Sequence, residues 1–592
     1  MTDAERPETI PAALERAAGV GRGGLRFLDR EERENFLAWG EIRERAARVG
    51  GALQALGVGR GERVGLVFPT GPEFFEAFFG TCLAGGVPVP LYPPVRLGRL
   101  SEYQRGTAAM LRGAGAELVL ADRRVRRLLG EAIALARPPL GCRSLSELPD
   151  GRLAPVETSP GDLGLVQFSS GTTVDPRPVA LSHRAMLAQT RAINGFWPAQ
   201  DGRAVTGVSW LPLYHDMGLI GCILPALALP SVMTLIGPEV FVARPAVWLR
   251  AISRYRAAIS PAPNFAYGLC VAKVRDEELA GVDLSSWRVA LNGAEPVVPA
   301  VLRAFAERFA RWGFRREALT PVYGLSEAAL AVTFSPLERP FESRRFAREP
   351  LAREGRAVPA ADGLELASVG RPLPGFALRL LGEDGREVPE GRVGRIWVSG
   401  PSLMEGYLGR PRETAQALRD GWLDTGDLGL VWQGELYLTG RAKDLVLLRG
   451  RGYSPDGIEQ ALADLPGSRT GCAVAASWLP EGAATEVLGV FVETAREATA
   501  EQAAVLPEAV RRAVLAAAGL PVDEVVVLEP GTLPRTSSGK LRRGETVRRH
   551  LAGELAPPAR FTPLRLAAAV ARSGLAYARL RLARGRAGGG DG

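Results

Sequence analysis

Short apolar runs alternate with segments of helical periodicity along most of this 592-residue chain. Apolar runs at residues 64–68, 117–121 and 163–168 predict buried strands, and residues 72–84 and 183–194 predict helices between them. This alternation is typical of α/β layers built around a mostly parallel sheet. Because the chain is too long for one ordinary domain, we expect at least two.

The character of the sequence changes twice towards the C-terminus. Residues 373–398 alternate as short strands between Gly and Pro turns, which predicts a β-rich subdomain. Further on, a segment with its own strand and helix patterns ends at two prolines. The predicted organisation is a large α/β domain at 1–439 with its β-rich part at about 369–430, a small α+β domain at 440–556 and a basic tail at 557–592.

The formal charge of +8 is concentrated in that tail. Residues 560–592 carry seven arginines and one acid, so the rest of the chain is close to neutral. This distribution disfavours a nucleic-acid-binding protein. Four of the arginines recur every seven residues and would form one stripe on a helix, which Gly574 would weaken: Arg565, Arg572, Arg579 and Arg586.

The cysteines and the apolar segments indicate a cytoplasmic protein. The five cysteines are far apart, odd in number and outside any CxxC pattern, which favours reduced thiols over a disulfide framework or a zinc site. The N-terminus has no apolar signal segment, and no run of about 18 apolar residues occurs. We therefore expect neither secretion nor a membrane-spanning segment.

Lysine is rare, with three lysines among 73 basic residues. Coding bias would explain this scarcity, and the alternative is that each lysine remains where arginine cannot replace it. Lys443 and Lys540 lie in loops of unusual composition, whereas Lys273 does not. Two of the three therefore favour a functional explanation.

Two further segments have the composition of phosphate and nucleotide sites. Residues 169–173 (SSGTT) follow a predicted strand, and small hydroxyl residues around a glycine can direct N–H and O–H groups at phosphate oxygens. In residues 321–327 (PVYGLSE), the tyrosine offers a stacking face, the serine can bind phosphate and the glutamate can bind magnesium. An ordinary turn and an ordinary strand end are the alternatives.

Five segments of the chain occur in the order and spacing of a known superfamily: residues 169–173, 323–327, 424–427, 440–444 and 534–540. With them the chain resembles the adenylate-forming superfamily of acyl-CoA synthetases, peptide-synthetase adenylation domains and luciferases. The resemblance covers nearly the whole chain up to about residue 556.

Within that superfamily the chain is most similar to fatty acyl-AMP ligases. The similarity rests on residues 89–94 (VPLYPP), 209–221 (SWLPLYHDMGLIG), 263–270 (PNFAYGLC) and 283–296 (DLSSWRVALNGAEP). The stretch at about 335–368 also matches the position of an insertion in those ligases. That insertion is thought to restrain the small domain and to disfavour CoA as the acceptor.

The resemblance implies an enzyme that uses ATP and Mg²⁺, with a large N-terminal α/β domain and a small mobile α+β C-terminal domain. It implies the following roles: Ser169, Ser170, Gly171, Thr172 and Thr173 for pyrophosphate; Gly293, Ala294 and Glu295 for the adenine pocket; Tyr323, next to Gly324, for stacking on the base; Ser326 for the α-phosphate; Glu327 for magnesium; Asp427 and Arg441 for the ribose; Lys443 for the hinge.

The chemistry of adenylation explains the residues expected to act in catalysis. A fatty carboxylate attacks the α-phosphorus, so positioning and positive charge are the main means of acceleration. Lys540 would bridge the carboxylate and the phosphate, since a compact charge on a flexible stem can enter and leave with a closing domain. His215 would lie where the acyl group meets the phosphate, and a structural histidine is the alternative.

Two segments depart from the family pattern. Residues 174–178 have the sequence Val-Asp-Pro-Arg-Pro where the family usually has Gly-x-Pro-Lys-Gly, so Arg177 replaces a lysine and Val174 and Pro178 replace glycines. Residues 450–459 lack an Asn-His-Tyr run associated with acyl-AMP ligases and are closer to the CoA-using branch. The second acceptor therefore stays open at this point.

The predicted function is ATP-dependent activation of a medium- or long-chain fatty acid, followed by transfer to the phosphopantetheine thiol of an acyl carrier protein. Transfer to CoA is the alternative, and a non-catalytic acyl- or nucleotide-binding homologue is a third. For the tail the interpretations are a solvated helix or disordered end, a helix at an anionic membrane surface, and a docking element for an acidic carrier protein.

Overall fold

The computed structural model of the chain describes residues 6–94, 97–169, 176–197, 205–337, 339–448, 451–463, 465–480, 485–536, 539–559 and 562–587. It consists of a large N-terminal α/β body, a small C-terminal α+β domain and a final helix. The predicted fold class is therefore confirmed. All five cysteine side chains are buried as free thiols.

The largest sheet of the body has nine strands, of which the central six are parallel. The strands at the edges are antiparallel to their neighbours. In spatial order they are Arg371–Pro372, Ala331–Phe334, Leu319–Gly324, Val289–Asn292, Ile259–Ala262, Gly207–Ser209, Val232–Ile236, Gly24–Leu28 and Glu34–Ala38.

Two smaller sheets complete the α/β part of the body. Four parallel strands form one of them: Val87–Pro90, Arg63–Val67, Ala116–Ala121 and Gly141–Arg143. Three antiparallel strands form the other: Gly406–Tyr407, Pro178–Ser182 and Leu163–Phe168. The strands predicted at residues 64–68, 117–121 and 163–168 are thus present, the first displaced by one residue and the second beginning one residue earlier.

Helices cover these sheets. The predicted helix at 72–84 is Pro72–Leu83, whose four phenylalanines are all buried, and the one at 183–194 is His183–Phe196. The longer helices of the body are Ile10–Val20, Trp39–Ala55, Leu100–Ala114, Ala246–Arg254, Asn264–Lys273 and Pro299–Phe309. The shorter ones are Arg123–Arg126, Gly130–Ala136, Asp216–Gly218, Leu224–Ala228, Pro238–Ala243, Arg348–Glu354 and Pro411–Ala417, with a π-helical turn at Leu219–Ile223.

The β-rich part of the body is an antiparallel sheet, as the Gly- and Pro-rich pattern indicates. Its strands are Ala377–Leu381, Gly394–Ser399, Trp422–Trp432, Leu418–Arg419 and Glu435–Arg441. The stretch that matches the family insertion folds as two paired strands, Ser343–Phe346 and Leu364–Ala367, around the helix Arg348–Glu354. Phe346 of this stretch packs on Tyr437 of the β-rich sheet, with ring centroids 6.0 Å apart.

The C-terminal domain has its own hydrophobic core. Its strands are Val446–Leu448, Arg451–Tyr453, Ser468–Trp478, Val487–Thr494 and Glu524–Leu528, and its helices are Pro455–Gln460, Ala500–Ala518 and Arg543–Leu551. Arg543 ties two of these helices together, because its guanidinium contacts Asp444, Asp456 and Glu459. The domain boundaries at residues 440 and 556 stay a prediction.

The final helix, Pro563–Ala587, packs one face on the body. Ser573 is fully buried and its hydroxyl accepts a hydrogen bond from the Gly130 N–H at 2.7 Å. The Tyr577 hydroxyl donates to the Arg126 carbonyl at 3.2 Å, and Arg572 lies 3.4 Å from Glu131. Between Pro563 and Ala587 the tail is therefore a helix docked on the body along one face.

We expect Gly130→Ala to loosen this docking. A Cβ atom on Gly130 would lie 2.2 Å from the Ser573 carbonyl oxygen, so the C-terminal helix would have to shift. The expected cost is about 1–3 kcal/mol, as for overpacking elsewhere, with faster hydrogen–deuterium exchange across residues 565–580. Gly574→Ala is the control, since its Cβ would meet nothing within 4 Å. Wild-type exchange in Gly130→Ala would contradict the docking.

Candidate functional site

A cavity of about 740 Å³ lies where the parallel strands of the large sheet end. Pro261, Leu291 and Tyr323, near the carboxyl ends of three adjacent strands, contribute to its wall. Ligands of α/β proteins bind at this edge of the sheet. Lys540 of the C-terminal domain also lines the cavity.

The cavity brings together most of the residues predicted from the sequence. Its lining includes Ser169, His215, Ala294, Tyr323, Gly324, Ser326, Glu327, Arg441, Lys443 and Lys540. Ser170, Gly171, Thr172 and Thr173 lie outside the described residues. Of the other predicted residues, Asp427 bonds to Tyr323 of the lining, whereas Gly293 and Glu295 are not part of it.

Gly324 is required by the close approach of two chain segments. A Cβ atom at this position would lie 1.8 Å from the Leu330 carbonyl oxygen. The chain turns back here, since the Leu325 N–H donates to that same carbonyl at 2.7 Å. The turn places Ser326 and Glu327 at the cavity wall.

Asp427 connects the large sheet to the β-rich sheet. Its Oδ2 accepts the Tyr323 hydroxyl at 2.8 Å and its Oδ1 accepts the Arg441 Nε–H at 3.0 Å. Burial raises the pKa of Tyr323 well above its usual range, and the Asp427 charge adds to that rise. The tyrosine therefore stays protonated and acts as a hydrogen-bond donor that fixes the position of the carboxylate.

Glu327 is held by a tyrosine that the sequence did not single out. The Tyr407 hydroxyl donates to Oε1 of Glu327 at 2.9 Å. Arg177 in turn donates to the Tyr407 hydroxyl at 3.2 Å, lies 5.0 Å from the centre of its ring, and pairs with Glu413 at 3.1 Å. The arginine that replaces the family's loop lysine thus supports Tyr407, which in turn positions Glu327.

Glu295 is engaged away from the cavity wall. Its Oε1 accepts the Phe265 N–H at 2.5 Å. Burial raises the pKa of this carboxyl, and Phe265, Lys540 and Arg535 oppose the rise. The role of Glu295 at the adenine pocket stays a prediction, as does that of Gly293.

His215, Asp216 and Ser326 form a compact polar cluster. Nδ1 of His215 lies 2.6 Å from Oδ1 of Asp216, and the Ser326 hydroxyl donates to Oδ2 of Asp216 at 2.5 Å. Burial alone would raise the pKa of Asp216, but the charge of His215 and the hydrogen bonds of His215 and Ser326 lower it to about 2. The sequence offered only one signal for Asp216, a single acid within the otherwise apolar run after His215.

The loop that carries Lys540 is closed by its own hydrogen bonds. The Thr536 N–H donates to the Lys540 carbonyl at 2.8 Å, and the Lys540 N–H donates to the Thr536 hydroxyl at 3.0 Å. Burial lowers the pKa of the Lys540 ammonium and Arg441 lowers it further, while three carboxylates oppose this effect: Asp216, Glu295 and Asp427.

The other two lysines differ in their surroundings. Lys443 lies in the turn Ala442–Asp444, and burial lowers its pKa, with Arg441 adding to the effect. Its role at the hinge stays a prediction. Lys273 ends a surface helix and is exposed. The structure thus separates the lysines as their loops suggested, with two at the cavity and one outside it.

Apolar side chains form the remaining wall of the cavity. Ile193, Met217, Leu330 and Phe334 line it together with Gly221. Such a surface can bury an aliphatic chain at about 25 cal/mol per Å² of apolar area. The cavity therefore combines an apolar wall with a charged wall that carries both signs.

A family of known proteins matches most of the body. The AMP-binding enzyme family matches residues 15–408 of this chain, which is most of the body.

Individual proteins match over nearly the full length. A protein of Caulobacter vibrioides named provisionally as an acyl-CoA synthetase is 36% identical over 92% of this chain and 96% of its own length. The medium-chain-fatty-acid–[acyl-carrier-protein] ligase JamA of Moorena producens is 32% identical over 90% of this chain and 93% of its own length. A solved structure from work on fatty acyl-adenylate ligases of E. coli and L. pneumophila superimposes with a TM-score of 0.86 at 34% identity, covering 93% of this chain and 99% of that one.

Proposed function

The chain belongs to the AMP-binding enzyme family, and from this premise we propose that it activates a medium- or long-chain fatty acid with ATP. The products are acyl-AMP and pyrophosphate, and the acyl group then passes to the phosphopantetheine thiol of an acyl carrier protein. One observation carries the proposal: Lys540 lines the same cavity as a set of apolar side chains and most of the residues predicted to bind the nucleotide.

The first step joins two anions. A carboxylate oxygen of the fatty acid attacks the α-phosphorus of ATP, a new O–P bond forms, and the bond from the α-phosphorus to the pyrophosphate oxygen breaks, so that pyrophosphate leaves. Negative charge grows on the phosphate oxygens, so a cation placed there in advance lowers the barrier. Lys540 supplies that cation, and His215 lies next to the reacting atoms.

The remaining predicted roles form the nucleotide part of the proposal. Asp427 and Arg441 bind the ribose hydroxyls, and Tyr323 stacks on the base with its hydroxyl fixed by Asp427. Ser326 donates to Asp216, so its hydroxyl must turn before it donates to the α-phosphate. Ser169 to Thr173 bind pyrophosphate, and Gly293, Ala294 and Glu295 form the adenine pocket beside Gly324.

Glu327 fits the proposed Mg²⁺, which favours carboxylate oxygens. Tyr407 engages Oε1 of Glu327, and this leaves Oε2 as the oxygen available to a cation at the cavity wall. When bound, the ion neutralises charge on the phosphates of ATP. Tyr407 and Arg177 keep the glutamate in place without themselves needing the metal.

We expect Lys540→Ala to lower fatty-acid-dependent pyrophosphate release by roughly 100-fold or more. Binding of ATP should survive, because the groups proposed for base and ribose are unchanged. Pyrophosphate release and calorimetric ATP binding are the two measurements. Lys273→Ala is the matched control, since this lysine is exposed and remote from the cavity. Pyrophosphate release near the wild-type rate in Lys540→Ala would overturn the assignment.

The carrier protein is proposed as the acceptor because JamA, named for this reaction, matches along almost the whole chain. CoA stays the second candidate, favoured by the provisional name of the Caulobacter relative and by the sequence at residues 450–459. A non-catalytic binding protein is the third. The presence of Lys540 and Glu327 at one cavity argues against it.

Supplying each acceptor separately distinguishes these candidates. With ATP and a fatty acid, we expect holo-carrier protein to become acylated, as detected by intact-protein mass spectrometry, and acyl-CoA to form at least tenfold more slowly. Apo-carrier protein, which lacks the thiol, is the control. Rapid acyl-CoA formation with unloaded carrier protein would reverse the ranking, and absence of pyrophosphate release would favour the binding protein.

We propose the cytoplasm as the location, with peripheral membrane contact through the tail at residues 560–586. In the described part of the chain, no helix has the length and apolar character needed to cross a membrane. The outer face of the final helix leaves Leu564 83% and Leu575 59% exposed. Arg565 and Arg579 lie beside them, a combination suited to an anionic lipid surface.

If the tail binds lipid, the chain should co-sediment with vesicles containing anionic lipid and much less with neutral vesicles. Leu575→Glu should reduce this binding several-fold, because a carboxylate would face the acyl region. Leu447→Glu, at a 50% exposed position of the C-terminal domain, is the matched control. Equal sedimentation of wild type and Leu575→Glu would remove this role of the tail.

A further inference from the structure

Asp216 is a buried carboxylate at the cavity whose contacts go beyond capping a short helix. It begins the one-turn helix Asp216–Gly218 and is 5% exposed. Oδ2 accepts the Ser326 hydroxyl at 2.5 Å, and Oδ1 accepts the Met217 N–H at 2.7 Å and lies 2.6 Å from Nδ1 of His215. Both oxygens are thus used, and all three partner residues line the cavity.

The distances around the imidazole ring of His215 indicate which of its nitrogens carries a proton. A lone pair on Nδ1 of His215 would repel Oδ1 of Asp216 at 2.6 Å, so Nδ1 carries a proton. The Met217 N–H lies 3.3 Å from the same nitrogen but only 2.7 Å from the carboxylate, which is therefore its acceptor. Nε2 is the ring nitrogen that remains for a ligand in the cavity.

We propose that Asp216 is a positioning residue for adenylation, which holds His215 with Nδ1–H towards the carboxylate and Nε2 towards the substrate. This inference rests on the proposed function. It assigns no contact between Asp216 and the substrate. A misplacement of about 1 Å can cost on the order of 100-fold in rate, so we expect the orientation of His215 to affect kcat.

Removing the carboxylate has a specific consequence for the ring. In Asp216→Ala, the Met217 N–H loses its nearer acceptor, and Nδ1 of His215 is the next atom, at 3.3 Å. Nδ1 would then accept this hydrogen bond and the ring would change to the Nε2–H tautomer. In Asp216→Asn, the amide oxygen can accept from both Met217 and Nδ1, so the wild-type tautomer should persist.

The chain is favourable for observing this change, because it has only three histidines. Nitrogen-15 NMR of protein labelled in histidine gives signals from His183, His215 and His550 alone, and replacement of each identifies its signal. The measurement needs no substrate. We expect Nδ1–H for His215 in wild type and in Asp216→Asn, and Nε2–H in Asp216→Ala.

Kinetics provide the second measurement. Asp216→Ala should lower kcat for pyrophosphate release by roughly 100-fold with KM for ATP changed less than threefold, and Asp216→Asn should recover at least tenfold of that loss. Asp122→Ala is the matched control: Asp122 also caps a one-turn helix, accepting the Arg124 and Val125 N–H groups away from the cavity. It should lose stability but keep kcat and the His215 signal.

Each outcome decides the proposal. Asp216→Ala with the wild-type tautomer, or with kcat within threefold of wild type, would overturn it. Equal kcat in Asp216→Ala and Asp216→Asn would also overturn it, since orientation would then not matter. If Asp216→Ala fails to fold, an Nε2–H ring in the wild type or in Asp216→Asn overturns it as well. A wild-type protein without fatty-acid-dependent pyrophosphate release would refute the proposed function, while the NMR result would still report the Asp216–His215 contact.

Discussion

The attraction between one ammonium group, that of Lys540, and three carboxylates is the interaction on which the contact between the C-terminal domain and the body depends. Lys540 belongs to the C-terminal domain, and the carboxylates that favour its charge belong to the body: Asp216, Glu295 and Asp427. Burial of the lysine alone is unfavourable to the charged form. The attraction across the domain boundary offsets only part of that cost, because Arg441 adds to it and the pKa of Lys540 stays below its usual range. Contact between the two domains is nevertheless what completes the cavity lining, since Lys540 is part of it.

Sequence patterns were sufficient to predict the fold class and much of the cavity lining. The strand Leu163–Phe168 is a short, mostly apolar run with a buried centre, and its predicted bounds agree with the structure. Lys540 and Tyr323 belong to motifs whose order along the chain is distinctive. Scarcity of lysine added an independent indication, because both lysines in unusual loops line the cavity.

Other features depend on contacts between segments that are distant in the chain. Tyr407 meets Glu327 across 80 positions and Asp216 meets Ser326 across 110, and no local pattern encodes either pair. The docking of the final helix could not be predicted from the sequence either. Its sequence shows an arginine stripe, of which Arg572 contacts Glu131, but the closest packing is made by Ser573, a small polar residue that fits against Gly130.

The C-terminal domain and the final helix make different kinds of contact with the body. This difference explains how the domain could move while the final helix and the body stay together. Arg549 pairs with Glu102 at 2.6 Å and Arg99 donates to the Thr532 carbonyl at 2.9 Å, so polar contacts of part-buried side chains join the domain to the body at this point. The final helix instead buries Ser573 against the body. Residues 552–562 connect the helix Arg543–Leu551 to the final helix and would span about 35 Å if fully extended. Displacement of the C-terminal domain would therefore break these polar contacts and withdraw Lys540, while the connection is long enough for the packing of the final helix to remain intact.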